Sequence, residues 1–355
     1  MGIIDEPTVI RSGEELDMTR VKEYLKDSIP GLEGEMEIRQ FPSGFSNLTY
    51  FIRAGEREMV LRRPPFGKKA KTAHDMSREY RMLKALRPVF PYCPEVLAFT
   101  DDESVMGCQF YVMERIKGII LRKDIPEELH ITPDRAAKLC ENLIRIQSDL
   151  HNVDYRAVGL DSYGKPEGYV FRQVDGWSGR YRAARTTDAP DFEKVMQWLH
   201  DHLQEDSAVP GVVHGDYKFD NVVLNPENPL EIVGVLDWEM ATIGDPLMDL
   251  GSSLGYWVDR DDPESLQMIR QMPTSAEGML SRNELVKLYG ELSGRNVDAW
   301  DFYYCFGLFR LAVIAQQIYY RFFHGQTKDQ RFGMLIHAVK ILEDTALKVI
   351  EKTNL

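Results

Sequence analysis

The run Val212-Val213-His214-Gly215-Asp216-Tyr217-Lys218-Phe219-Asp220-Asn221, followed by Val233-Gly234-Val235-Leu236-Asp237-Trp238-Glu239, has the residue types that phosphoryl transfer needs. The pattern is H-G-D-x-x-x-x-N, then a short apolar strand ending in Asp. Such a reaction needs one carboxylate beside the attacking hydroxyl. It also needs an amide oxygen and a second carboxylate to hold Mg²⁺ on the phosphates. Asp216 suits the first task, Asn221 and Asp237 the second. The turn Asn225-Pro226-Glu227-Asn228-Pro229 predicts a hairpin of Val222–Leu224 with residues 231–236, bringing all three side chains to one end. A buried His and Asp capping a turn would explain H-G-D alone, but not the whole set.

This stretch resembles the catalytic loop and metal-binding segment of the aminoglycoside phosphotransferase family, relatives of the protein kinases. Within that family it looks most like the subgroup found alone in bacteria or fused to acyl-CoA dehydrogenases. The resemblance runs over residues 36–323. It implies a two-lobed, protein-kinase-like α+β fold with ATP in the cleft. Residues 1–115 would form a small antiparallel-sheet N-lobe and residues 116–355 a large helical C-lobe. Asp216 would then accept or orient the proton of a substrate hydroxyl, while Asn221 and Asp237 hold Mg²⁺. His214 would position the loop, and Asp249 would steady it by hydrogen bonds.

The elements that must position these groups are legible on either side. A helix is expected over Met18–Ser28, then strands over residues 36–41, 48–53 and 58–62, separated by turn material. The first turn, Phe41-Pro42-Ser43-Gly44-Phe45-Ser46-Asn47, is a candidate phosphate cover. Backbone N–H groups around Ser43 and Gly44 can cradle an anion, with Ser46 or Asn47 assisting. The third strand resembles the kinase V-A-I-K strand with Arg62 where Lys is usual. Alternation puts Val60 and Arg62 on one face, so Val60 would line the adenine pocket while Arg62 reaches the phosphates. Glu79, in a helix over residues 73–86, is the carboxylate that would pair with Arg62. Between them, Lys68, Lys69 and Lys71 join Arg62 and Arg63 in a basic patch without an acid.

By resemblance, residues 110–118 form the hinge, where Met113, Glu114 and Ile116 would meet the adenine. Thr132-Pro133 opens a long helix with one apolar face, and His151 at its end reads as a packing or capping residue. Residues 169–185 hold Arg172, Arg180, Arg182 and Arg185 against Asp175, interleaved with Tyr169, Phe171, Trp177 and Tyr181. Trp177, Arg180 and Arg182 are therefore candidate acceptor-binding residues, suited to an anionic or CoA-bearing molecule. A hydroxyacyl-CoA acceptor is what the resemblance implies. A helix is expected over residues 191–205, another capped by Asp245-Pro246, and a capping box at Ser281 opens a third. Two longer helices follow, over residues 297–323 and 329–350.

Composition excludes several classes. Lys+Arg 43 against Asp+Glu 56 leaves a net charge of −13, which argues against a general nucleic-acid binder. Cys93, Cys108, Cys140 and Cys305 are scattered without a C-x-x-C pair, as small core residues in a reducing compartment would be. The N-terminus has no basic leader, and no uncharged apolar run approaches the ~18 residues of a membrane span. The expected setting is cytoplasmic, with a small-molecule substrate. Asp249 follows Asp237 too closely for a protein kinase's activation segment, and no A-P-E occurs. A catalytically dead nucleotide-binding regulator finds support in Arg62, yet Asp216, Asn221 and Asp237 are all intact. An aminoglycoside or amino-alcohol acceptor would want acids, and Asp259, Asp261, Asp262 and Glu264 are the dense acidic run.

Overall fold

Alternating apolar residues build an antiparallel sheet from β1 (Met36–Gln40), β2 (Leu48–Ala54) and β3 (Arg57–Arg63), close to the expected bounds. β4 (Val96–Thr100) and β5 (Phe110–Glu114) complete it in the order β1-β2-β3-β5-β4. The sequence reading omits β4. The computed structural model describes residues 4–41, 47–66 and 75–355. Ser43, Gly44 and Ser46, like Lys68, Lys69 and Lys71, lie outside them. The chain divides by contacts into two compact units. The first is Met1–Ile120, Val158–Leu160 and Asn221–Ala241; the second is Leu121–Ala157, Asp161–Asp220 and Thr242–Leu355.

In the first unit, helix Met18–Ser28 starts at Asp17, whose carboxylate accepts the Thr19 N–H at 3.0 Å. It buries Val21 and Leu25 in one cluster with Tyr50, Ile52, Leu61, Phe110 and Val112; full burial of such a side chain stabilises by about 1.5–3 kcal/mol. A second helix runs Met76–Leu86, opened by Asp75, which is extended and caps it, while expected helix residues 73 and 74 lie outside the described residues. Glu79, Met82, Leu83 and Leu86 are buried at helical spacing. Glu79 therefore lies on the packed stripe of its helix, not on a solvated face.

The predicted hairpin forms from Val222–Leu224 and Ile232–Val235, with Asn225 accepting the Glu227 N–H in the turn. It groups with the first unit, whereas the sequence reading placed it in the large lobe. Backbone bonds explain this. Ile119 and Leu224 exchange N–H···O bonds of 2.9 and 2.8 Å, and Val235 N donates to Tyr92 O at 2.8 Å.

The second unit is mostly helical. Pro133–His151 begins where Thr132-Pro133 predicts, although the Thr132 side chain makes no capping bond. The basic aromatic segment is itself a helix, Tyr169–Ala184, burying Val174, Trp177 and Tyr181. The next helix is Glu193–Asp201, shorter than expected at both ends, and Gln330–Met334 is a 3₁₀ turn preceding helix Leu335–Lys352. The capping box at Ser281 is present. Gly211–Val213 pairs antiparallel with Thr242–Gly244. Helix Pro246–Leu254 lies tightly on helix Trp300–Phe323, since a Cβ on Gly307 would sit 1.9 Å from the Gly251 carbonyl oxygen. Cys93, Cys140 and Cys305 are buried and all four cysteines are free. No helix among the described residues is long and apolar enough to cross a membrane.

Candidate active site

Within the first unit, Arg62 on β3 is 7 % exposed and ringed by carboxylates. Its Nη1 lies 2.8 Å from Glu79 Oε1, and its Nη2 lies 2.9 Å from Asp237 Oδ1 and 3.5 Å from Glu239 Oε2. Burial works against the Arg62 charge, but Glu79, Tyr111, Asp237 and Glu239 together hold its pKa well above the ordinary value. Burial likewise pushes the Glu79 carboxyl up, with Arg62 opposing. Asn47 Nδ2 donates to Glu239 Oε2 at 2.7 Å. The sequence pairs Arg62 with Glu79 alone; Asp237 and Glu239 join it in the fold.

Asn221 and Asp237 come together at one end of the hairpin. Leu236 N donates to Asn221 O at 2.7 Å, so Asp237 is the next residue beyond that bond. Asp237 adopts φ 67°, ψ 65°, a left-handed conformation in which Asp is tolerated better than most residues. Trp238 is buried, its indole N–H donating to Val235 O at 2.8 Å, which fixes the segment after Asp237. One amide oxygen and one carboxylate fit Mg²⁺, which takes one or two protein oxygens and completes its shell with phosphate and water.

At the hinge, Met113 lies opposite Val60 in the β3–β5 register. The Glu114 N–H donates to Glu95 O at 2.8 Å, and its carboxylate accepts the Glu95 N–H. The Glu114 N–H is thus already engaged. The Ile116 side chain packs where Gly234 leaves room.

The catalytic loop belongs to the second unit up to Asp220. Gly215 takes φ +82°, which needs a glycine. Asp249 anchors it, Oδ2 accepting from His214 N at 3.0 Å and Oδ1 from Gly215 N at 2.7 Å. Burial would raise the Asp249 pKa, but bonds and charge from His151, His214 and Gly215 outweigh it and hold the carboxyl below its usual range. His151 is not a mere capping residue: its Nε2 lies 3.0 Å from Asp249 Oδ2 and its Nδ1 2.7 Å from the Tyr289 hydroxyl. His214 Nδ1 accepts the Asp216 N–H at 3.2 Å.

Two basic residues at this loop escaped the sequence reading. Lys218 makes an ion pair with Asp216 and lies 4.9 Å from the Tyr256 ring centroid. Burial opposes the Lys218 charge, yet Tyr256, Asp216 and Asp220 raise its pKa. Its signal was a lysine two positions after the central aspartate. Arg310, on helix Trp300–Phe323, donates to the Gly215 carbonyl. Of the three acceptor candidates, Trp177 and Arg180 adjoin one another, the Arg180 guanidinium carbon lying 4.5 Å from the Trp177 ring centroid. Arg182 instead grips Glu193 through Nε at 3.0 Å and Nη2 at 2.6 Å.

A sequence profile of the APH phosphotransferase enzyme family matches residues 37–285. The chain belongs to that family. This phosphotransferase is 36 % identical over 336 residues to acyl-CoA dehydrogenase family member 10 of Mus musculus, covering 93 % of this chain and 31 % of that protein. It spans less than half the length of the curated relatives it matches. Among solved structures, a protein of Ralstonia eutropha provisionally described as an aminoglycoside phosphotransferase superposes with TM-score 0.81 at 29 % identity, over 96 % of this chain and all of that one. A choline kinase from Cryptosporidium parvum gives TM-score 0.64 at 13 % identity, over 95 % and 96 % of the two chains. The fold is the two-lobed, protein-kinase-like α+β fold.

Proposed function

We propose that this phosphotransferase moves the γ-phosphate of ATP to the hydroxyl of an anionic metabolite, with a hydroxyacyl-CoA as the acceptor. Asp216 orients the acceptor hydroxyl and takes its proton as the new O–P bond forms and the bond to the leaving ADP breaks. Asn221 and Asp237 would hold Mg²⁺, which would supply positive charge to the phosphates. Arg62 supplies positive charge to the phosphates, with Asn47 nearby on Glu239. Val60, Met113 and Ile116 line the adenine side. His214 acts on the backbone of Asp216, as a positioning residue.

The observation that carries this reading is the anchoring of the loop. Asp249 receives two consecutive backbone N–H groups, His214 receives the next, and Arg310 holds the Gly215 carbonyl. A loop so fixed keeps Asp216 preorganised, which is how a carboxylate contributes to a step dominated by positioning. Two facts support the acyl-CoA acceptor. The chain's relatives carry the acyl-CoA dehydrogenase name, and helix Tyr169–Ala184 sets arginines among aromatics. The acidic run favours an aminoglycoside less, because Asp259 and Asp262 are already paired with Arg282. ATP-dependent phosphorylation of matched hydroxyacyl-CoA, aminoglycoside and amino-alcohol panels tests the proposal. Transfer to the CoA thioester, weakening as salt rises, is expected; transfer confined to the cationic panels would overturn it.

A further inference from the structure

Several arginines among the described residues are matched to carboxylates, whereas buried Arg63 donates to the Pro64 carbonyl. Arg62 faces Glu79 and Asp237, Arg115 faces Glu58 and Glu6, and Arg282 faces Asp259 and Asp262. Arg310 is another that has no carboxylate partner among the described residues. It is 6 % exposed on helix Trp300–Phe323, and its hydrogen bond goes to a neutral group, the Gly215 carbonyl. Its guanidinium carbon lies 5.0 Å from the Trp177 ring centroid, while that of Arg180 lies 4.5 Å from the same centroid. Among the described residues, neither arginine has a carboxylate at ion-pair distance.

We infer that Trp177, Arg180 and Arg310 form a subsite for an oxyanion of the phosphate acceptor, a carboxylate or a phosphate, beside the Gly215–Asp216 peptide. The inference rests on the phosphotransferase reading and adds where the acceptor's charge is recognised. A ring face attracts a guanidinium but does not neutralise it, and two like charges at one ring repel. A bound oxyanion supplies the counter-charge and accepts the free guanidinium N–H groups in a fork geometry. Arg310 also holds Gly215, so the same side chain that reads the acceptor's charge fixes the residue before Asp216. Arg182 takes no part, since Glu193 already answers it.

Calorimetric titration of the full chain tests the subsite, with and without saturating ADP. The probes are hydroxybutyrate as a carboxylate, CoA as a phosphate carrier, and neutral pantetheine. At least one of the two anions binds the wild type, and which one identifies the source of the charge. Its affinity falls about tenfold or more in Arg180→Ala and is partly restored in Arg180→Lys, while pantetheine shows no difference. Arg180 is exposed, so the variants keep the fold. The subsite is overturned if neither anion binds the wild type, or if Arg180→Ala binds them equally well. ADP affinity, read in the same titrations, reports on the nucleotide site separately.

Discussion

Arg62 holds Asp237: Nη2 of the arginine lies 2.9 Å from Oδ1 of the carboxylate, while its Nη1 stays on Glu79. One guanidinium thus ties β3 to the helix Met76–Leu86 and to the segment after the hairpin. A lysine ammonium is a single point charge without that planar fork. The departure from the usual lysine therefore keeps the positive charge and adds a second contact.

Arg62→Ala leaves Glu79 buried without its counter-charge and is expected to destabilise the fold by about 3–5 kcal/mol. Urea unfolding measures this. The ATP KM also rises, Arg62→Lys recovers part of both losses, and Arg63→Ala leaves ATP kinetics unchanged. ATP kinetics that respond to Arg63→Ala and not to Arg62→Ala would show that the other arginine makes the contact.

Asp237→Ala is expected to weaken ATP binding in the presence of Mg²⁺ and to change it little without the metal. Titration of ATP against the variant under both conditions separates a metal ligand from a structural residue. Equal losses under the two conditions would contradict the metal role.

Much of this arrangement is legible in the sequence, because it depends on local spacing. The hairpin follows from its turn, the cap at Asp245 from Asp-Pro, and the Arg62–Glu79 pair from strand alternation and resemblance. What escaped depends on packing between distant segments. Arg310 reads as a polar break in an apolar run until its helix meets the Gly215 carbonyl. His151 reads as a helix end until Asp249, ninety-eight positions later, meets its ring. Arg182 reads as a free cation until the next helix brings Glu193 against it. The division of the chain was obscured in the same way, since the hairpin's outer bonds run to Ile119 and Tyr92.

Asp249 also sets a pH dependence. Its folded pKa lies below the usual value, so its stabilising contribution is full above the unfolded value near about 3.9 and is lost as pH falls through the lower folded value. Asp249→Asn is expected to be less stable than wild type by about 3 kcal/mol at neutral pH, from two charge-assisted backbone bonds. That difference shrinks on acidification below the unfolded value. Unfolding midpoints of both proteins across the acid range check the sign, and a gap that widens in acid would refute it.

The most direct measurement follows label from the γ-phosphate of ATP into the acceptor panel, for wild type and Asp216→Asn, with ATP affinity measured on the same samples. Removing a carboxylate that acts on the reacting hydroxyl lowers turnover by orders of magnitude and leaves ATP binding intact. That is the expected result. Equal transfer by Asp216→Asn and wild type would contradict the assignment of Asp216 as the residue that carries the reaction.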